Sequence, residues 1–208
     1  MTGRGGHIPR PSRGGVDIRL SMARNVEIKA RIESVEAMAP RVAALADRGP
    51  IEIDQDDTFF ACAQGRLKLR AFSATQGELI FYQRPNQAGP KESRFVVSPT
   101  SSPDSLREAL VLAYGSAGRV RKHRTLYLVG RTRVHLDRVE DLGDFLELEV
   151  VLAEDESPDV GVKEARALMT ALGLADGQLV ERSYVDLLPH GGAATPRDAH
   201  AHSRRATG

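Results

Sequence analysis

Residues 145–150 read Phe-Leu-Glu-Leu-Glu-Val, an alternation of apolar and charged side chains with a period of two. A β-strand turns successive side chains to opposite faces, so Leu146, Leu148 and Val150 share one face and Phe145, Glu147 and Glu149 the other. The two carboxylates then stand roughly 6.6–6.8 Å apart along the strand. A half-buried strand with one solvated face gives the same pattern, so this stretch alone does not separate structure from function. Repetition is what constrains the fold. Residues 25–32, 66–70 and 131–138 alternate in the same way with charge on one face, and most of that charge is basic.

The rest of the chain supplies more strands and the helices between them. In 25–32, Val26, Ile28, Ala30 and Ile32 fall on one face and Asn25, Glu27, Lys29 and Arg31 on the other. Ser34 is placed to cap a helix running to about residue 48, with Val35, Met38, Val42 and Leu45 as its stripe and Pro40 set to kink it. Strands follow at 51–60 and 66–70 with a turn at Gly65, then a pair at 79–84 and 91–97 joined by the loop 85–90. Ser102 and Pro103 open a second helix carrying Leu106, Leu110 and Tyr114, and Gly115 and Gly118 end it. Strands at 120–129, 131–138 and 145–152 precede a helix over 162–172 that Gly173 stops, and a short last strand is expected at 182–188. About eight strands with helices between them imply an α+β protein, an antiparallel sheet closed into a barrel.

Composition sets the class of protein. A length of 208 residues, 41% hydrophobic and 27% charged, is ordinary for one globular domain. No run approaches the ~18 apolar residues that span a bilayer, so no membrane partner is expected. The first twenty residues lack the apolar run of a secretory signal, and Met22 offers an alternative start. A single cysteine, Cys62, cannot form an internal disulfide, which fits a cytoplasmic protein, and it is expected as a small, partly buried side chain. Residues 1–21 and 189–208 are rich in Gly, Arg, Pro and other small or polar residues without periodicity, and read as disordered extensions of a domain at 22–188. The net charge is +1, of which residues 1–21 contribute +3 and 189–208 contribute +2, leaving −4 on the body. An acidic body argues against nucleic acid as a partner.

Within that body the charges are sorted. Arg66, Lys68 and Arg70 share a strand face, as do Lys122 and Arg124, while Tyr82 with Arg84, Lys91 with Ser93, and Arg133 with His135 and Asp137 make further sets. Solvated faces would mix the signs. Burying like charges costs several kcal/mol per unpaired ion, so a polar-lined barrel needs either cross-barrel ion pairs or a bound polyanion. Eight cations (Lys29, Arg66, Lys68, Arg70, Arg84, Lys91, Lys122, Arg124) set against Glu27, Asp137, Glu147 and Glu149 leave four positive charges over. A triphosphate carries about that charge, and a divalent metal would tie it to the carboxylates.

The motifs in their order resemble the CYTH superfamily, the triphosphate tunnel metalloenzymes, and within it the class IV adenylyl-cyclase-like branch. The likeness covers about residues 24–188. It runs through Val26-Glu27-Ile28-Lys29, Gln55-x-Asp57-x-Phe59-Phe60, Gly65-Arg66-Leu67-Lys68-Leu69-Arg70, Tyr82-x-Arg84 and Lys91-x-Ser93. It continues through Lys122-x-Arg124-x-x-Tyr127, Arg133-x-His135-Leu136-Asp137, Leu142-Gly143-x-Phe145-Leu146-Glu147-Leu148-Glu149 and Tyr184-x-Asp186-Leu187-Leu188. The resemblance implies an eight-stranded antiparallel tunnel with helices packed outside. It makes Glu27, Asp137, Glu147 and Glu149 candidate ligands for Mg2+ or Mn2+. Lys29, Arg66, Lys68, Arg84, Lys91, Lys122 and Arg124 become candidate phosphate contacts, with Lys29 and Arg124 as catalytic candidates. The alternative for each is a cross-barrel salt bridge, and Gln55 and Asp57 read as structural.

One position departs from the family's Glu-x-Glu-x-Lys signature, because Asn25 stands where the first Glu belongs. An amide oxygen still coordinates a hard cation but brings no charge. The implied substrate is ATP, tripolyphosphate or thiamine triphosphate, and a homodimer is compatible with the resemblance. Three activities fit the same tunnel: cyclisation of ATP to cyclic AMP and pyrophosphate, hydrolysis of a triphosphate, or binding without turnover.

Overall fold

A computed structural model describes residues 22–189, so the extensions expected at 1–21 and 189–208 lie outside the described residues save for Pro189. The elements are β1 (Ala23–Arg31), α1 (Val35–Ala43), β2 (Arg48–Phe60), β3 (Arg66–Ser73), β4 (Gln76–Gln83), β5 (Lys91–Thr100), α2 (Pro103–Tyr114), β6 (Ser116–Val129), β7 (Thr132–Val139), β8 (Gly143–Leu152), α3 (Pro158–Leu172) and α4 (Tyr184–Leu187). The strands close into a barrel in the order β1-β5-β4-β3-β2-β6-β7-β8, and every neighbouring pair is antiparallel. The α+β barrel with helices outside is thus the fold that forms.

The barrel is apolar on its outside where the helices cover it. Val26, Ile28 and Ala30 of β1, Val134 and Leu136 of β7, and Leu146, Leu148 and Val150 of β8 pack against Met38 and Val42 of α1 and Ala165, Met169 and Leu172 of α3. Each such aliphatic side chain contributes about 1.5–3 kcal/mol when fully buried. The hydrophobic core therefore lies between barrel and helices, which frees the alternate residues to carry charge into the lumen. Gly161 lets α3 approach this closely: a Cβ there would lie 2.8 Å from Val26 Cγ2 and 2.9 Å from Leu152 Cδ2. Gly173 ends α3 in the left-handed conformation, with φ 71°, as the sequence leads one to expect.

A second apolar cluster closes one end of the barrel. Tyr184 and Val185 of α4 pack there against Phe59, Val120, Val139 and Phe145. This corrects the strand expected at 182–188. Ser183 and Asp186 form a capping box, with Ser183 Oγ donating to Asp186 Oδ2 at 2.7 Å, and this local bonding winds the segment into a helical turn.

Other differences are of extent. The first helix accommodates Pro40 and stops at Ala43, where Ala44 N donates to Pro40 O at 3.1 Å, and the chain joins the sheet when Asp47 N donates to Leu128 O at 2.8 Å. The strands β5 and β6 run further than expected, to Thr100 and from Ser116. Cys62, expected to be partly buried, is exposed. Of the expected stripe on α2, Leu106 and Leu110 are half-buried and Tyr114 is exposed. No helix among the described residues is long and apolar enough to cross a membrane.

Candidate functional site

The lumen encloses a cavity of about 290 Å³ lined by the charged faces of the strands. Register fixes which charges meet. Glu27 stands opposite Lys91 on one side and Glu149 on the other, and Lys29 opposite Glu147. Arg124 stands opposite Asp137, Arg133 opposite Glu149, and His135 opposite Glu147. The Glu27–Glu149 pair sets two carboxylates directly across from each other, an arrangement that destabilises a sheet unless a cation lies between them.

Two aspartates in this lumen are saturated by cations. Asp137 is fully buried and accepts from Arg124 Nε and Nη2, both at 2.6 Å, from Lys122 Nζ at 3.0 Å and from Tyr184 Oη at 3.0 Å. Asp57 accepts from Lys68 Nζ, Arg70 Nε and Arg70 Nη2, all at 2.8 Å. Burial works to raise both carboxyl pKa values, but Arg124 and Lys122 in one case and Arg70 and Lys68 in the other outweigh it and hold them far below the usual range. The cations respond in turn. Burial and the nearby Arg70 bring Lys68 down to about 8 despite Asp57.

The glutamates are placed differently. Glu147 meets Lys29 Nζ at 2.9 Å and Arg124 Nη2 at 2.6 Å, and Lys29 also lies 3.8 Å above the Tyr184 ring. Glu149 has a single long bond, from Arg133 Nη1 at 3.4 Å. Glu27 lies 3.0 Å from Arg84 Nη1, yet the alignment is not that of a hydrogen bond and Arg84 Nη1 is left without one. Burial raises the Glu27 pKa, and Glu147 and Glu149 raise it further against the pull of Arg84. His135 faces the same group with a ring nitrogen lacking any hydrogen-bond partner, and burial and Arg124 lower its pKa. Ligand atoms of His135, Glu147 and Glu149 lie within 4.8 Å of one another. An imidazole beside two carboxylates, of which Glu149 has only the one long bond, is a donor set that fits a divalent cation.

Of the residues picked from sequence, Glu27, Lys29, Lys68, Arg84, Lys122, Arg124, Glu147 and Glu149 line the cavity together. The other three lie behind or beside it. Asp137 sits under Arg124 and Lys122. Arg66 reaches Asp186 at 2.7 and 3.0 Å and Ser183 at 2.8 Å, so it latches α4 over the closed end. Lys91 is buried and donates to the carbonyls of Gln87 at 2.9 Å and Glu181 at 3.5 Å, and burial with Arg84 pushes its pKa to about 8.

Some lining residues were not picked. Asp57 and His135 lie in alternating stretches, and the signal that found their neighbours also marks them. Tyr184 arrives from a helical turn outside the strands, where no period announces it. Asn25 Oδ1 and Gln55 Oε1 are buried in the lining without partners. Toward the end away from α4 the lining turns apolar, through Ile53, Phe72, Phe95, Val97 and Leu126.

Comparison with known proteins places this architecture. A family model described as the CYTH domain matches residues 23–184. The adenylate cyclase CyaB of Aeromonas hydrophila is 31% identical over 169 residues, covering 76% of this chain and 85% of that protein. The structure of the PH1012 protein from Pyrococcus horikoshii OT3 superposes with a TM-score of 0.70 at 23% identity, covering 79% of this chain and 99% of that one. The Hippeastrum protein HpAC1, for which a dominant triphosphatase activity is described, superposes with a TM-score of 0.53 at 17% identity, covering 76% of this chain and 91% of that one. The two superpositions are likenesses of fold.

Proposed function

The chain belongs to the CYTH domain family, and from that premise we propose that it is a divalent-metal-dependent enzyme acting on a nucleoside triphosphate, cyclising ATP to cyclic AMP and pyrophosphate. The observation that carries this reading is the layering of the lumen. A cation wall of Lys29, Lys68, Arg84, Lys122 and Arg124 faces an acidic group of Glu27, Glu147 and Glu149, and an apolar rim lies beyond them. A polyphosphate suits the first, a metal the second, and an organic base the third.

Glu147 and Glu149, with Glu27 beside them, would hold Mg2+ or Mn2+. The metal would supply charge stabilisation at the reacting phosphoryl group. Lys29 and Arg124 carry the catalytic part of the proposal: both contact Glu147 and both face the cavity, so they can turn from the carboxylate to phosphate oxygens and stabilise charge on the phosphorus under attack. The ribose 3′-hydroxyl gives up its proton to solvent as its oxygen attacks the α-phosphorus, and the bond to the β-phosphate oxygen breaks, releasing pyrophosphate. Rigid strands set which phosphorus the nucleophile reaches.

The same cage would serve a water attacking a terminal phosphorus, the reaction class described for the Hippeastrum protein. Incubation with Mg2+ or Mn2+ and either ATP or tripolyphosphate, followed by product identification, decides. Cyclic AMP with pyrophosphate is expected. Free phosphate instead would make the chain a hydrolase, and binding of triphosphates without any product would overturn the enzymatic reading.

A further inference from the structure

His135 is the buried group in the lumen whose chemistry the phosphate reading leaves unused. It is 3% exposed, and its Nδ1 has no hydrogen-bond partner. A buried polar atom left in that state is destabilising until a partner meets it. Nδ1 lies 3.8 Å from Glu149 Oε1 and 3.9 Å from Glu147 Oε2, beyond hydrogen-bond length to either. Two donors bound to one ion at ~2.1 Å stand between about 3.0 Å (adjacent) and 4.2 Å (opposed) apart. The observed separations fall in that interval. Its backbone is paired on both sides, to Leu126 of β6 and to Glu147 of β8, which sets the side chain on the lumen face beside the two glutamates.

From this geometry we infer that His135 supplies a nitrogen ligand to the divalent metal held by Glu147 and Glu149, and that this nitrogen makes the site prefer transition ions of the Mn2+ to Zn2+ series over Mg2+. The inference rests on the metal reading of the lumen given above. Mg2+ takes oxygen donors and keeps much of its water, whereas imidazole is a donor suited to the first-row transition ions. One nitrogen among two carboxylates therefore shifts selectivity without excluding Mg2+.

The test uses Mn2+ as the probe and does not depend on turnover. Protein labelled with 15N-histidine, with Mn2+ bound, is examined by electron spin echo modulation, and its Mn2+ and Mg2+ affinities are measured by titration. A directly bonded 15N coupling is expected, together with a Mn2+ affinity above that for Mg2+. His135→Gln should lose the coupling and weaken Mn2+ binding about tenfold or more while leaving Mg2+ binding nearly unchanged. His123→Gln, at an exposed histidine bonded to Asp54 and Glu52, should keep the coupling. If Mn2+ binds in the wild-type protein without a histidine coupling, the nitrogen ligand is overturned and the carboxylate site stands. If Mn2+ binds no better to the wild type than to Glu149→Gln, the metal reading itself falls. The wild-type spectrum decides even where His135→Gln fails to fold.

Discussion

Asp137 and Glu149 belong to adjacent strands of one barrel, and their surroundings are opposite. Asp137 has four hydrogen bonds from Arg124, Lys122 and Tyr184 and no exposure, while Glu149 has one long bond and faces Glu27 across the strand pair. The same residue class thus does two jobs. Around Asp137 and Asp57 the carboxylates hold Lys68, Lys122 and Arg124 aimed at the lumen without folding back on one another. Around Glu27 and Glu149 each carboxylate meets one cation only among the described residues, Arg84 at 3.0 Å without hydrogen-bond alignment and Arg133 at 3.4 Å, and the two acids stand opposite each other. A wall whose carboxylates are fully bonded is scaffold, and a wall whose carboxylates keep free oxygen atoms is a seat for a ligand.

The largest effect should come from the balanced side. Asp137→Asn leaves Arg124 and Lys122 buried without their counter-charge, and should cost about 3–5 kcal/mol in urea unfolding. Its pH dependence has a definite sign. Asp57 and Asp137 have folded-state pKa values below their unfolded values. The stability they contribute is therefore fully present above the ordinary carboxylate range and is lost as pH falls through it and below. Asp57→Asn should flatten that acid limb. A wild-type-like urea midpoint for Asp137→Asn would break the comparison outright.

Glu149→Gln should show the reverse. Turnover should fall by about a hundredfold or more through loss of the metal, while stability shifts by no more than about 1 kcal/mol because the carboxylate has few partners to lose. Unchanged activity under saturating metal would remove Glu149 from the ligand set.

These two residues also show what the sequence made legible. Period-two alternation placed Glu27, Glu147, Glu149, Lys68 and Arg124 in one lumen, because a strand in a closed sheet has only two faces and the apolar one must meet the helices. It could not separate Asp137 from Glu149, since both alternate correctly and their difference lies in how many cations reach each from neighbouring strands. Arg66 and Lys91 obey the same alternation, yet they sit near the closed end and bond to Asp186 and to backbone carbonyls. Those partners come from segments without strand periodicity, as α4 does, where a local capping box overrides the pattern.

A smaller effect concerns the cation wall. Burial lowers Lys68 and Lys91 to about 8, so both lose protons as pH rises through that value, well before an exposed lysine would. Affinity for tripolyphosphate should accordingly fall as pH is raised past about 8. Lys68→Arg, which stays charged, should move the fall to higher pH, and an unchanged profile would separate Lys68 from phosphate binding. The smallest effect is expected at the unbalanced wall's outer edge. Asn25 is buried with an unpartnered oxygen in the lining, so Asn25→Glu should tighten Mn2+ binding several-fold by adding a charge to the ligand group. No change in the metal titration would place Asn25 outside it.

Glu27 and Glu149 face each other with one poorly aligned or long cation contact apiece, which leaves room for a metal, and Lys29 and Arg124 are engaged with Glu147 until a metal takes up that carboxylate. Calorimetric titration of tripolyphosphate into the protein, with Mn2+ and with chelator, tests this directly. Metal should tighten triphosphate binding by about tenfold or more, a coupling of at least ~1.4 kcal/mol. Equal affinity with and without metal would contradict it.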